Sequence, residues 1–151
     1  DRLMDVIIKL KESGIYPPAL EDELATEGAE EQPKLADVVS VYGAYERRLV
    51  DLGFEDLEGI YRVLAVGYSQ QQFSVTFRRL FPDVETVSLA GFDEFSVPEV
   101  GTIRRLCAVP GIAVTMMFDY RKGNEGLFGH LEENYRRFIE LGFRETGEAA
   151  V

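Results

Sequence analysis

At 151 residues and 46% hydrophobic content, the chain can bury a core as one compact unit, because a chain of about 150 residues hides roughly 70% of the surface its unfolded form exposes. Its 27 acidic against 16 basic residues give a net charge of −11, which repels a phosphate backbone and excludes a self-sufficient nucleic-acid clamp. The apolar runs fall far short of the about 18 residues of a membrane span and no signal-peptide pattern is visible, so neither membrane insertion nor export is expected.

The single cysteine, Cys107, lies among apolar residues of a predicted helix and cannot form an internal disulfide. It reads as a buried structural thiol in a reducing, cytoplasmic setting.

The chain opens at Asp1 directly in a helical pattern, Leu3, Val6, Ile7 and Leu10, closed by Gly14. That is the pattern of a piece of a longer polypeptide, with glycine at the helix C-terminus. From 15 to 33 the periodicity fails. Pro17-Pro18 breaks it, and Glu21, Asp22, Glu23, Glu27, Glu30 and Glu31 follow without one basic residue among them. The expectation is a solvated connector with a short helix over 19–25.

Residues 34–52 return to helical spacing, with Leu35, Val38, Val39, Tyr42, Tyr45, Leu49 and Leu52 on one stripe opposite Asp37, Glu46, Arg47 and Arg48. Tyrosines in such a stripe are more often core than base-stacking platforms. A further helix starts at Phe54-Glu55-Asp56-Leu57-Glu58, with carboxylates in the first turn where the helix dipole favours them. It is expected to run to about 80 with a break near Gly67, and Pro82 ends it. No internal repeat is apparent.

Thereafter the pattern alternates: strand 84–89, helix 98–109, strand 112–118, helix 125–141. Two apolar strands joined through a helix are most simply parallel, with a right-handed crossover. The predicted fold is therefore α/β, with a mostly helical subdomain over 1–82 and a partial parallel α/β sheet with crossover helices over 83–151.

The densest chemistry lies at Val84-Glu85-Thr86-Val87-Ser88-Leu89-Ala90-Gly91-Phe92-Asp93-Glu94-Phe95-Ser96, where a β-branched strand runs into an acidic, aromatic turn and then a helix start. Open α/β sheets bind ligands at such strand ends. Asp93, Glu94 and Asp119 are expected to crowd that sheet edge, either as site carboxylates or simply as turn and cap residues. The sequence has no G-x-x-x-x-G-K-[ST], no H-E-x-x-H and no cysteine cluster, and its one histidine, His130, reads as a surface or packing residue.

Arginine pairs occur at Arg47-Arg48, Arg78-Arg79, Arg104-Arg105 and Arg136-Arg137. Neighbouring arginines on helices are usually solvated faces or ion-pair partners. Arg78, Arg79, Arg104 and Arg105 are nonetheless the candidate phosphate contacts.

The order of these pieces resembles a known family. Ile8-Lys9-Leu10-Lys11-Glu12-Ser13-Gly14-Ile15, Lys34-Leu35-Ala36-Asp37 with Tyr42 and Tyr45, Phe54-Glu55-Asp56-Leu57, and Ala90-Gly91-Phe92-Asp93-Glu94-Phe95 look like the AddB-type subunit of bacterial helicase-nucleases, itself similar to superfamily I helicases of the UvrD kind. The resemblance covers most of the chain through short motifs. It implies that the sheet is part of a RecA-like domain. In active superfamily I helicases the motif II strand ends in Asp-Glu, which hold Mg²⁺ and activate water. Aligned on Phe92, those positions are Ala90 and Gly91 here, and neither side chain can bind metal or act as a base. Gly91-Phe92 looks like the AddB version, whereas Ala90 departs from an Asp-Gly-Phe form of it.

The resemblance thus implies a segment without catalytic residues or a cofactor of its own. Its parent would be an ATP-dependent helicase and exonuclease subunit for DNA repair and recombination, with the ATP and Mg²⁺ loop before Asp1 and a nuclease with an iron-sulfur cluster after Val151. The partners implied are a motor and nuclease subunit, and DNA through the full-length protein. Asp119 stands where a DNA contact of active relatives would want a polar or basic group. Two other readings remain at this stage: a small metal-dependent phosphohydrolase or receiver-like domain using Asp93, Glu94 and Asp119, and a protein-interaction domain whose acidic 21–31 segment meets a basic partner.

Overall fold

The computed structural model describes residues 2–27, 33–92, 94–117, 120, 123 and 125–146. They form a mostly helical protein with a small two-stranded parallel sheet.

Helix α1 (Arg2–Glu12) buries Ile7 completely and stops at Gly14, whose φ of 73° lies in the left-handed region that glycine enters freely. Helix α2 (Pro17–Glu27) contains the short helix expected over 19–25 and extends it at both ends, replacing much of the expected connector. Pro17 and Pro18 begin this helix instead of breaking the chain, since a first-turn residue has no intrahelical N–H bond to lose. Leu20 turns into the core beside Ile7, Val39 and Tyr42. Glu27, Glu30 and Glu31 of the acidic segment have side chains outside the described residues.

Helix α3 (Pro33–Leu52) lays Val39 and Tyr42 against α1 and α2, as its spacing predicts. Two members of the stripe assignment change sides. Leu52 is exposed, and Glu46 faces inward with its side chain 19% exposed, where Lys11 meets it. Helix α4 (Leu57–Arg62) is capped by the Asp56 carboxylate, which accepts from the Gly59 N–H.

The expected break comes just after Gly67. α4 runs on through a π-helical turn over Val63–Gly67, and α5 (Gln70–Leu80) starts afresh with a capping box between Ser69 and Gln72.

Strands β1 (Thr86–Leu89) and β2 (Ala113–Met116) pair in parallel, Thr86 opposite Ala113 and Leu89 opposite Met116. Both are shorter than the apolar runs suggest. Their pleat leaves Thr86, Ser88, Ala113 and Thr115 exposed on one face, and the Ser88 and Thr115 hydroxyls bond across the strands at 2.9 Å. The other face turns Leu89 and Met116 onto a second core of Phe95, Val100, Ile103 and Phe138.

The crossover is α6 (Val97–Cys107), which has a Ser96–Glu99 capping box. Cys107 is exposed at its last residue, contrary to the buried thiol expected: it continues the stripe of Val100 and Ile103, but the core of Phe95, Val100, Ile103 and Phe138 does not include it. The predicted single helix over 125–141 is three pieces: α7 (Glu125–Phe128), a 3₁₀ turn over Gly129–Leu131, and α8 (Glu132–Glu140). Gly126 and Gly129 weaken helix continuity there. His130 is exposed, in keeping with a surface residue.

Helix α6 also joins the helical part to the sheet. It packs on α4, the π-turn and α5, closely enough that a Cβ at Gly101 would lie 2.8 Å from the Ala65 Cβ.

Candidate functional site

The end of β1 holds the motif-like residues. Ala90 and Gly91 are exposed, with Gly91 at φ 78°. This left-handed residue turns the chain so that the Phe92 and Phe95 rings meet at a tilt with centres 5.1 Å apart, and Phe95 meets the edge of Phe138 at 5.0 Å. The aromatic half of the motif therefore anchors the turn to α8. Glu94 is exposed, while Asp93 and Asp119 lie outside the described residues. A methyl group and a hydrogen at Ala90 and Gly91 supply neither oxygen ligand nor base, so these two positions do not fit the Mg²⁺ of an active helicase. Among the described residues no group of three or more His, Cys, Asp or Glu side chains is placed to hold a metal ion.

The four candidate arginines separate into different roles. Arg78 donates from its two terminal nitrogens to the Val84 and Pro110 carbonyls, each at 2.6 Å, and so ties together the approaches to both strands. Arg79 is exposed on α5. Arg104 and Arg105 enter one groove of about 850 Å³ between the π-turn, α6 and α8, where Arg62 and Arg137 join them.

Each wall of this groove follows from local sequence. On α6, Pro98, Gly101, Arg104, Arg105 and Ala108 recur at helical spacing and line it, Val100 both lines it and joins the core, and Ile103 points to the core alone. Arg105 Nε donates to the Ala65 carbonyl of the π-turn. Arg62 sits 4.8 Å from the Tyr16 ring centre and 3.8 Å from Glu46. Arg137 pairs with Glu133 one turn back on α8. Arg104 is exposed and has no ion pair among the described residues. Among the described residues one carboxylate, Glu140, shares the lining, and Val66, Val97 and Leu141 make it partly apolar.

Beside the groove lies a charged network that sequence reasoning missed. Lys11 is 1% exposed, and its Nζ bonds Glu46 Oε1 at 2.7 Å and both Asp56 oxygens at 2.6 and 2.7 Å. Tyr45 donates to Asp56 Oδ2 at 2.8 Å, and Tyr42 to the Ile15 carbonyl at 3.2 Å.

Burial works against the lysine charge, but the hydrogen bonds to Asp56 and Glu46 outweigh it and hold its pKa above the usual value. Burial likewise works against the Asp56 carboxylate, and the bonds from Lys11, Tyr45 and the Gly59 N–H hold its pKa below the usual value. Burial, with the bonded Asp56 carboxylate, pushes Tyr45 up to about 12. Tyr16, a groove-lining residue, has a buried hydroxyl with no hydrogen-bond partner among the described residues. Its pKa is raised by burial, so it stays protonated.

Chemically, the groove offers permanent cations beside apolar side chains, an arrangement suited to holding an anion. No helix of the described residues is long and apolar enough to cross a membrane. No family model, curated protein or solved structure matches this chain.

Proposed function

We propose that this chain is a non-catalytic, helicase-like scaffold segment of a cytoplasmic helicase-nuclease of the AddB kind, which processes DNA double-strand breaks for repair and recombination. The observation that supports this reading is the end of β1. A parallel strand–helix–strand unit turns at Gly91 and packs Phe95 into the core, while Ala90 and Gly91 stand at the motif II positions. The strand end is kept as architecture and lacks the side chains of an ATPase there.

On this reading the two strands belong to a RecA-like sheet. The ATP and Mg²⁺ site and the iron-sulfur nuclease belong to other parts of the parent, and a motor and nuclease subunit is the partner. The open sheet supports an incomplete unit: parallel sheets are normally covered on both faces, yet Thr86, Ser88, Ala113 and Thr115 are exposed here.

The test is genetic and biochemical together. Deleting the gene from its host should sensitise cells to double-strand breaks, and the tagged native protein should co-purify with a motor subunit of a helicase-nuclease. Normal break survival together with a complex lacking any such motor would overturn the reading.

A further inference from the structure

We infer that the groove between the π-turn, α6 and α8 binds a small organic acid carrying two or three carboxylates. The inference does not rest on the DNA-processing reading above. Such a ligand lies wholly within the groove, so it does not have to cross the acidic surface that turns a nucleic-acid strand away.

The groove holds more positive charge than the protein itself neutralises. Among its described lining residues four guanidiniums, Arg62, Arg104, Arg105 and Arg137, meet one carboxylate, Glu140. Arg137 pairs with Glu133, and Arg62 lies 3.8 Å from Glu46, whose other oxygen takes the Lys11 ammonium. Arg104 and Arg105 have no ion pair among the described residues. Arg105 is half-buried, and its Nε donates to the neutral Ala65 carbonyl. A partly buried charge without a counterion is unfavourable, and a bound carboxylate supplies the missing one.

The lining sets the ligand class. A volume of about 850 Å³ is that of a small-molecule site, which spans about 300–1,000 Å³. The guanidiniums come from different walls, Arg62 from the end of α4, Arg104 and Arg105 from α6, and Arg137 from α8. Only a ligand with more than one anionic group engages separate walls together, and Val66, Val97 and Leu141 would face the carbon skeleton between those groups. Phosphate cradles are usually built from free N–H groups at a helix N-terminus. The start of α6 lines this groove, yet Pro98 has no N–H, and the Glu99 N–H is bonded to Ser96 Oγ at 3.3 Å. What the groove offers an anion is the guanidinium fork, which matches the two oxygens of a carboxylate.

The experiment is isothermal titration calorimetry of the full chain, free of divalent metal and at about 0.1 M salt, where the Debye length of about 10 Å screens the acidic surface from the groove. The probes are citrate and glutarate, with butyrate and inorganic phosphate for comparison. Melting curves would not serve, because polyvalent anions stabilise folded proteins by exclusion from their surfaces. Arg104→Gln and, independently, Arg137→Gln are the groove variants. Arg79→Gln removes the same charge from an exposed residue outside the groove, and circular dichroism of each variant checks its fold. The expected result is that citrate or glutarate binds more tightly than about 1 mM, with butyrate and phosphate weaker by about tenfold or more. Each groove variant should weaken the tighter acid about fivefold or more, and Arg79→Gln should leave it within about twofold of the parent.

Four outcomes overturn the inference. Neither acid binds at millimolar concentration; the groove variants bind as the parent does; Arg79→Gln loses as much as they do; or butyrate or phosphate binds as tightly as the better acid, which would make the groove an unselective anion site.

Discussion

Lys11 Nζ lies 2.6 Å from Asp56 Oδ2, and so α1 is bolted to the residue that caps α4. With Glu46 of α3 at 2.7 Å, the ammonium group joins three elements at a position 1% exposed. Breaking a buried ion pair from one side leaves uncompensated charge and costs about 3–5 kcal/mol. Lys11→Met, which keeps an apolar stem in place but strands Glu46 and Asp56, should fall in that range by urea denaturation with an unchanged m-value. Adding Glu46→Gln should restore part of the loss. A cost below about 1 kcal/mol would place the network with ordinary surface pairs.

The same network sets a stability plateau in pH. The folded Asp56 pKa is lowered, so its contribution is fully present above the unfolded value of about 3.9 and is lost as pH falls through the folded one. The folded Lys11 pKa is raised, so its contribution is fully present below the unfolded value of about 10.4 and is lost as pH rises through the folded one. Stability measured by denaturation across pH should decline on both sides of the neutral range. Asp56→Asn, which keeps an N-cap acceptor, should flatten the acid limb, and an acid limb of unchanged depth would assign it to other carboxylates.

The network also marks where the sequence is legible and where it is not. Val39 and Tyr42 are readable as core because their helical spacing is unbroken, and the strand–helix–strand order is readable from two apolar runs flanking a capped helix. Lys11 and Glu46 escape such a reading because charge ordinarily marks the outer face of a helix. Their spacing carries the signal: Lys11 follows Ile7 by four residues, and Glu46 follows Tyr42 by four, each continuing a buried stripe.

Two opposite charges on two apolar stripes indicate a buried pair. The groove is legible only in part. Arg104 and Arg105 stand out as a pair, but their meeting with Arg62 and Arg137 depends on how α6 docks against the π-turn and α8, which local periodicity does not encode. Pro17-Pro18 misleads because proline ends a helix from within yet starts one from its first turn.

That docking rests on Gly101. A Cβ there would sit 2.8 Å from the Ala65 Cβ, closer than two carbons approach without displacement. Overpacking of this kind costs about 1–3 kcal/mol. Gly101→Ala should therefore destabilise the protein despite the better helix propensity of alanine, and Gly101→Ala with Ala65→Gly should recover most of the loss. Raised stability in the single variant would mean that α6 and the π-turn separate easily.

Gly91 gives a test in which backbone strain acts alone. Its φ is 78°, and a Cβ would meet nothing within 4 Å. Any cost of substitution then comes from the left-handed conformation, about 1–2 kcal/mol for a residue with a Cβ. Gly91→Glu restores the acidic residue of an active motif II at this position, and it should lower stability by about that amount without conferring ATP hydrolysis, even when combined with Ala90→Asp. Gly91→Asn should cost less, because asparagine tolerates left-handed φ. Equal stability of the Glu and Asn variants would show that the turn relaxes out of the left-handed region. ATP turnover by the double variant would show instead that the strand end had kept the geometry of a working site and lost only its side chains.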